Sequence, residues 1–282
     1  MILKLNKMNS TIKIITLFIV ISTLFVSCNN DEPIIKNQIQ YLKVAEAVST
    51  GSTFNVEFYA TDSLFVGYNN VYFKITDKST GMAVSHATLV LHPLMNMGTS
   101  SHACPFENPV DSLTSDGYFK GAILFSMMGT NSWSLSVDIT ANGKIETVSF
   151  PIDKVKSTDP VKKIVVMDSL STGPGTWTIT KYPVTLIEPA IWKVGNNPFE
   201  ITIHTMASMM SFPCCTDMTV EITPEMPSMG HGSPNNVNPV SIGKGHYMGS
   251  VNFTMTGAWR INVVFKKGGR TLGSKNYFDI VF

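Results

Sequence analysis

The sequence predicts an all-β chain: two tandem antiparallel β-sandwiches behind an apolar leader. Three observations carry this. Apolar and polar residues alternate with period two along most of the chain, no stretch beyond the leader sustains a 3.6-residue period, and the same set of elements occurs twice. Gly67-Tyr68-Asn69-Asn70 returns as Gly195-Asn196-Asn197, and Ser49-Thr50-Gly51 as Ser171-Thr172-Gly173. Thr88 to Met95 returns as Thr219 to Met226, and Phe119, Gly121, Phe125, Met127, Gly129 and Trp133 as Tyr247, Gly249, Phe253, Met255, Gly257 and Trp259. Matched positions keep an offset of 122 to 131 residues, so a tandem duplication is the primary reading.

At the N-terminus, Lys4, Lys7 and Lys13 precede an apolar run from Ile14 to Val26. That is the layout of a secretory signal, too short for a comfortable membrane span. Leu24-Phe25-Val26-Ser27-Cys28 then resembles the lipobox of bacterial lipoproteins, with Phe25 where the pattern carries Leu. The resemblance implies a signal peptide over 1–27, a lipid on Cys28, a tether over 28–36, and residence outside the cytoplasm in the bacterial cell envelope, on the outer membrane. Two or three acyl chains hold a protein on a bilayer, at about 0.8 kcal/mol per buried CH₂.

Between the leader and the C-terminus, Phe54-Asn55-Val56-Glu57-Phe58, Val71 to Ile75, Ala122 to Phe125, Ser134 to Val137 and Ile261 to Phe265 read as strands with at least one buried face. Ala141-Asn142-Gly143-Lys144 marks a two-residue hairpin, and Lys267-Gly268-Gly269-Arg270 a second turn of that kind. Polar Ser157-Thr158-Asp159-Pro160 divides a first repeat, 37–157, from a second, 158–282. Both repeats resemble immunoglobulin-like domains in architecture. Trp133 and Trp259, in the same late strand of each, are expected as core anchors.

Removal of the leader takes three lysines and no acids, leaving 18 basic against 20 acidic residues. A net charge of −2 is no footprint for nucleic acid. Cys104, Cys214 and Cys215 remain beyond Cys28; a vicinal disulfide, a bridge from Cys104 to one of the pair, buried thiols and a metal-thiolate role all stay open.

Sixteen methionines are many for 282 residues, and they cluster with histidine. Pro224-Glu225-Met226-Pro227-Ser228-Met229-Gly230-His231 leaves a strand for a Gly/Pro loop, where a gap-filling Met has little to fill. Thioether sulfur with imidazole selects copper, Cu(I) above all, over hard cations. His246 and Met248, alternating on the following strand, are expected to complete a site with Met226, Met229 and His231. The first repeat offers a weaker set in His92, Met95, Met97, His102 and Cys104, with Tyr118 and Lys120 where the second has His246 and Met248. A third cluster, His204, Met206, Met209, Met210, Cys214, Cys215 and Met218, is expected to be half exposed. The competing reading makes these methionines structural.

The stretch from Thr219 through Pro224, Met226, Met229, Gly230 and His231 to Gly245, Tyr247, Gly249, Phe253, Gly257-Ala258-Trp259 and Ile261 resembles the YtkA-like domain, related to FixH-like domains. The resemblance covers part of the second repeat well and the first repeat more weakly, through Pro93, Met95, Met97, Gly121 and Met127. It implies a small extracytoplasmic β-sandwich from a family associated with copper handling and oxidase maturation, with the Met/His loop on Met226, Met229 and His231. The expected function is a non-catalytic lipoprotein that binds a soft metal, copper, for handling, buffering or delivery, with a copper-accepting protein as its partner. The alternative is an adhesion or scaffold lipoprotein whose loops, with Tyr247 and Trp192 exposed, hold a protein or glycan. No Gly-x-Ser-x-Gly elbow, His-Glu-x-x-His or phosphate loop supports an enzyme.

Overall fold

The computed structural model describes residues 41–173 and 176–282; the leader, Cys28 and the tether lie outside them. The described residues form strands and turns with no helix. In the first half these are β1 (Leu42–Val48), β2 (Phe54–Ala60), β3 (Gly67–Asp77), β4 (Thr88–Asn96), β5 (Ser101–Ala103), β6 (Phe106–Glu107), β7 (Phe119–Phe125), β8 (Gly129–Ala141) and β9 (Lys144–Val155). In the second half they are β10 (Ile164–Gly173), β11 (Thr176–Ile187), β12 (Gly195–Ile203), β13 (Thr219–Met226), β14 (His231–Gly232), β15 (Val237–Gly243), β16 (His246–Phe253), β17 (Ala258–Lys267) and β18 (Arg270–Val281).

Each half is two antiparallel sheets. The first pairs β1-β2-β3-β7-β6 with β5-β4-β8-β9, and the second pairs β10-β11-β12-β16-β15 with β14-β13-β17-β18. Position for position, the two strand orders are the same. Alternation sets which side chains enter the core: along β2, Phe54, Val56, Phe58 and Ala60 are buried while Asn55 faces out. Phe54, Phe58, Phe73, Phe119, Phe125 and Phe150 fill the first core, and Phe199, Tyr247, Phe253, Phe265 and Phe278 the second. Full burial of one such ring contributes roughly 1.5–3 kcal/mol. Trp133 and Trp259 are buried among them, as anchors should be.

Local chemistry repeats as well. The Asn69 amide accepts from Phe65 N and donates to the Phe65 and Gly67 carbonyls; Asn197 does the same with Lys193 and Gly195. Both are buried, so each amide closes the bend that starts its strand without an unpaired polar atom. Gly121 and Gly249 let a neighbouring chain pass: a Cβ would stand 2.6 Å from Glu107 O in one and 2.4 Å from Val237 O in the other. The Asn142-Gly143 hairpin joins β8 to β9 with both residues left-handed, φ 52° and 72°, as a type I′ turn requires. Gly268-Gly269 does so between β17 and β18.

Among the described residues, two hydrogen bonds join the sandwiches. Ala103 N donates to Met209 O at 2.9 Å, which attaches the loop after β12 to strand β5. Glu107 reaches His246 across the joint at 2.9 Å.

Candidate functional site

Strand β13 carries Val220, Ile222, Pro224 and Met226 on its inner face, so Met226 belongs to the core rather than to an exposed loop. The reason is parity: Met226 continues the inward series of the strand. The chain then turns on the Met226 carbonyl, which accepts from Met229 N at 3.1 Å and Gly230 N at 3.0 Å, and Gly230 supplies the left-handed φ of 63°. His231 returns on β14 directly opposite Met226. Its ring stands edge-on to Trp259, 5.6 Å between centroids at 89°.

Trp259 Nε1 donates to Met255 O at 3.0 Å, which fixes the turn that presents Met255. The Met226 methyl lies against Gly257, where a Cβ would meet it at 3.2 Å. Around Trp259, one end of the second sandwich thus gathers buried Met226, half-buried His231, and Met229 and Met255 exposed to solvent. Met255 and Trp259 were not among the residues the sequence proposed as donors. Their sequence correspondence to Met127 and Trp133 was the signal for them.

His246 and Met248 do not join this group. Phe253, at the other end of their strand, packs on Trp259 at 5.2 Å. His246 is seven residues back along β16, about 23 Å at ~3.3 Å per residue. Spacing by two put both side chains on one face, but the run of β16 carries that face to the opposite end of the sandwich. There His246 holds Glu200 through Nδ1 at 2.7 Å and Glu107 through Nε2 at 2.9 Å, so neither ring nitrogen is free. Its hydrogen bonds to Glu107 and then Glu200 raise its pKa to about 9 against the cost of burial. Burial works against the Glu107 carboxylate, yet His246 and Tyr68 hold it below its ordinary value. Buried His204 lies beside this cluster, pushed down to about 4 by burial against the pull of Glu107.

In the first sandwich, Met95 is buried and pairs across the sheet with His102 on one side and Trp133 on the other. His102 meets Trp133 edge-on at 5.4 Å and 89°, and Trp133 Nε1 donates to Met127 O at 3.1 Å. Met97 is exposed in the turn. His92 lies apart from this group: it is exposed on β4 and bonded through Nε2 to Asp138 at 2.9 Å. Cys104 is fully buried, and burial pushes its thiol well up, which removes it as a ready thiolate.

Cys104, Cys214 and Cys215 are all free thiols, so neither the vicinal nor the Cys104 disulfide is formed. The third cluster divides as expected: Met209, Met210 and Cys214 are exposed, Met206 is half-buried, and His204, Cys215 and Met218 are buried. Tyr247 is wholly buried, its hydroxyl accepting from Met218 N and donating to Cys215 O, and so presents no adhesive surface. Among the described residues no three His, Cys, Asp or Glu side chains converge as a metal site.

Residues 176–264 match the family model described as YtkA-like. The match runs from β11 through most of β17 and takes in Met226, Met229, His231, Met255 and Trp259. No curated protein matches the chain. Over these residues the second sandwich is therefore similar to the YtkA-like domain.

Proposed function

We propose that this protein is a non-catalytic, lipid-anchored extracytoplasmic protein that binds a soft metal, copper, at the Trp259 end of its second sandwich and delivers it to an accepting partner. One observation carries the reading: Met229 and His231 leave the core strand on a single tight turn, and the Trp259 ring that His231 faces donates its indole N–H to the Met255 carbonyl. Neutral imidazole and thioether are the donors that favour Cu(I) over hard cations. Because Met229 and Met255 are exposed, a partner can reach the ion in place. The identical strand order of the two halves supports a tandem duplication behind this arrangement. The layout of residues 1–36 supports secretion and lipidation at Cys28.

The test is a Cu(I) titration of the full chain, cysteines reduced, against a chromophoric chelator, repeated with Met229→Leu plus His231→Ala. The expected result is retention of Cu(I) by the native chain and at least a tenfold weaker hold in the double variant. Failure of the native chain to retain Cu(I) overturns the proposal.

A further inference from the structure

We infer that the first sandwich contains a second soft-metal site, closed where the other is open, built on His102 Nε2 and the thioether of Met95. It uses the same donor chemistry as the site proposed at Trp259 but does not depend on it. His102 is 4% exposed. Its Nδ1 lies 2.8 Å from the Ala103 carbonyl, a group that only accepts, so Nδ1 carries the proton and Nε2 presents a lone pair. That lone pair is buried and meets no hydrogen-bond partner among the described residues. Buried polar atoms are seldom left so, and one that is unpaired points to a ligand. The arrangement is also the one metal-bound histidines use, with the far nitrogen donating to a carbonyl to fix tautomer and ring orientation.

Met95 supplies the second donor. It is the cross-strand partner of both His102 and Trp133, and cross-strand partners project side by side on one face of a sheet. Sulfur, imidazole and the indole of Trp133 therefore line one buried corner. A thioether and one neutral imidazole suit a soft monovalent cation, with the indole as an aromatic wall. Zinc, which draws on thiolate, imidazole and carboxylate, finds too few of its ligands here. The bond from Ala103 N to Met209 O lays a loop carrying exposed Met209 and Met210 over the outer edge of β5, beside His102. Those sulfurs provide a route by which the ion enters.

The probe is Cu(I) alone, titrated anaerobically into the full chain with cysteines reduced. Three variants are compared with the native chain: Met229→Leu/His231→Ala, Met95→Leu, and the combination. Met95→Leu removes the sulfur while conserving volume, and its unfolding midpoint is measured in parallel. Two equivalents are expected in the native chain, one in Met229→Leu/His231→Ala, and at least a tenfold weaker hold of that one when Met95→Leu is added, with the unfolding midpoint little changed. A displaced ¹⁵N resonance of His102 Nε2 on adding Cu(I) would agree. No equivalent left in Met229→Leu/His231→Ala overturns this inference and leaves the Trp259 site standing. One equivalent there, indifferent to Met95→Leu, overturns it too. A single native equivalent lost with Met95→Leu but kept in Met229→Leu/His231→Ala supports it and overturns the Trp259 site.

Discussion

His102 and His231 occupy the same place in their sandwiches. Each is the cross-strand partner of a core methionine, and each stands at 89° to a buried tryptophan whose indole N–H donates to a methionine carbonyl. They differ in what closes the corner. From Met95 to His102 the chain takes six intervening residues and the Met209 loop then bonds to β5; from Met226 to His231 it takes four, and among the described residues β14 pairs with β13 alone. The comparison teaches that the Met, His and Trp grouping belongs to the sheet while its accessibility belongs to the loops. Two sandwiches of one strand order can thus hold the same Met, His and Trp grouping at two depths.

The sharpest way to break this symmetry is to remove the anchors. Trp133→Ala and Trp259→Ala each empty a fully packed position and should cost about 3–5 kcal/mol of stability. Urea denaturation read by far-UV circular dichroism checks this, and a loss below about 1 kcal/mol in one of them would show that the two corners are not built alike.

The matched glycines come next. Gly121→Ala and Gly249→Ala place a Cβ on a backbone carbonyl at 2.6 and 2.4 Å, so each should lose about 1–3 kcal/mol in the same assay. Unequal losses would show that β6 and β15 yield differently.

The smallest effect is one of pH and belongs to the second sandwich, because the first carries Thr76 and Tyr118 where the second has His204 and His246. An unfolded imidazole titrates near ~6.5. His246 keeps its proton to about 9, so its contribution is whole below about pH 6.5 and is lost as pH rises through 9. His204 does the reverse: its contribution is whole above about 6.5 and is lost as pH falls toward about 4. Stability should therefore peak near pH 6.5, with limbs on the order of 1 kcal/mol. Glu107→Gln, which weakens the hold on His246, should flatten the alkaline limb; a profile unchanged by it would place the titration elsewhere.

Much of the fold was legible because burial writes itself as alternation. Val56 and Phe58, Leu135 and Val137, and Ile261 and Val263 all lie inward as their spacing predicts. The hairpins were legible because Asn142-Gly143 and Gly268-Gly269 tolerate positive φ. The Met/His loop was legible by composition, but its depth was not: Met226 was assigned to solvent although Val220, Ile222 and Pro224 already set an inward parity that it continues. His246 and Met248 were joined to it because a spacing of two reports the face of a strand and says nothing of which end that face is on. The pairing of Glu107 with His246 spans 139 residues and leaves no local trace in either neighbourhood.

The bond from Ala103 N to Met209 O has one more consequence. A backbone amide exchanges its hydrogen with solvent only when its acceptor moves away. The acceptor here belongs to a loop of the other sandwich, so the deuterium uptake of that single amide reports the lifting of that loop from β5. If the closed corner takes an ion only when the Met209 loop lifts, the uptake rate at Ala103 sets the upper speed of loading, and the two rates should rise and fall together as the joint is loosened.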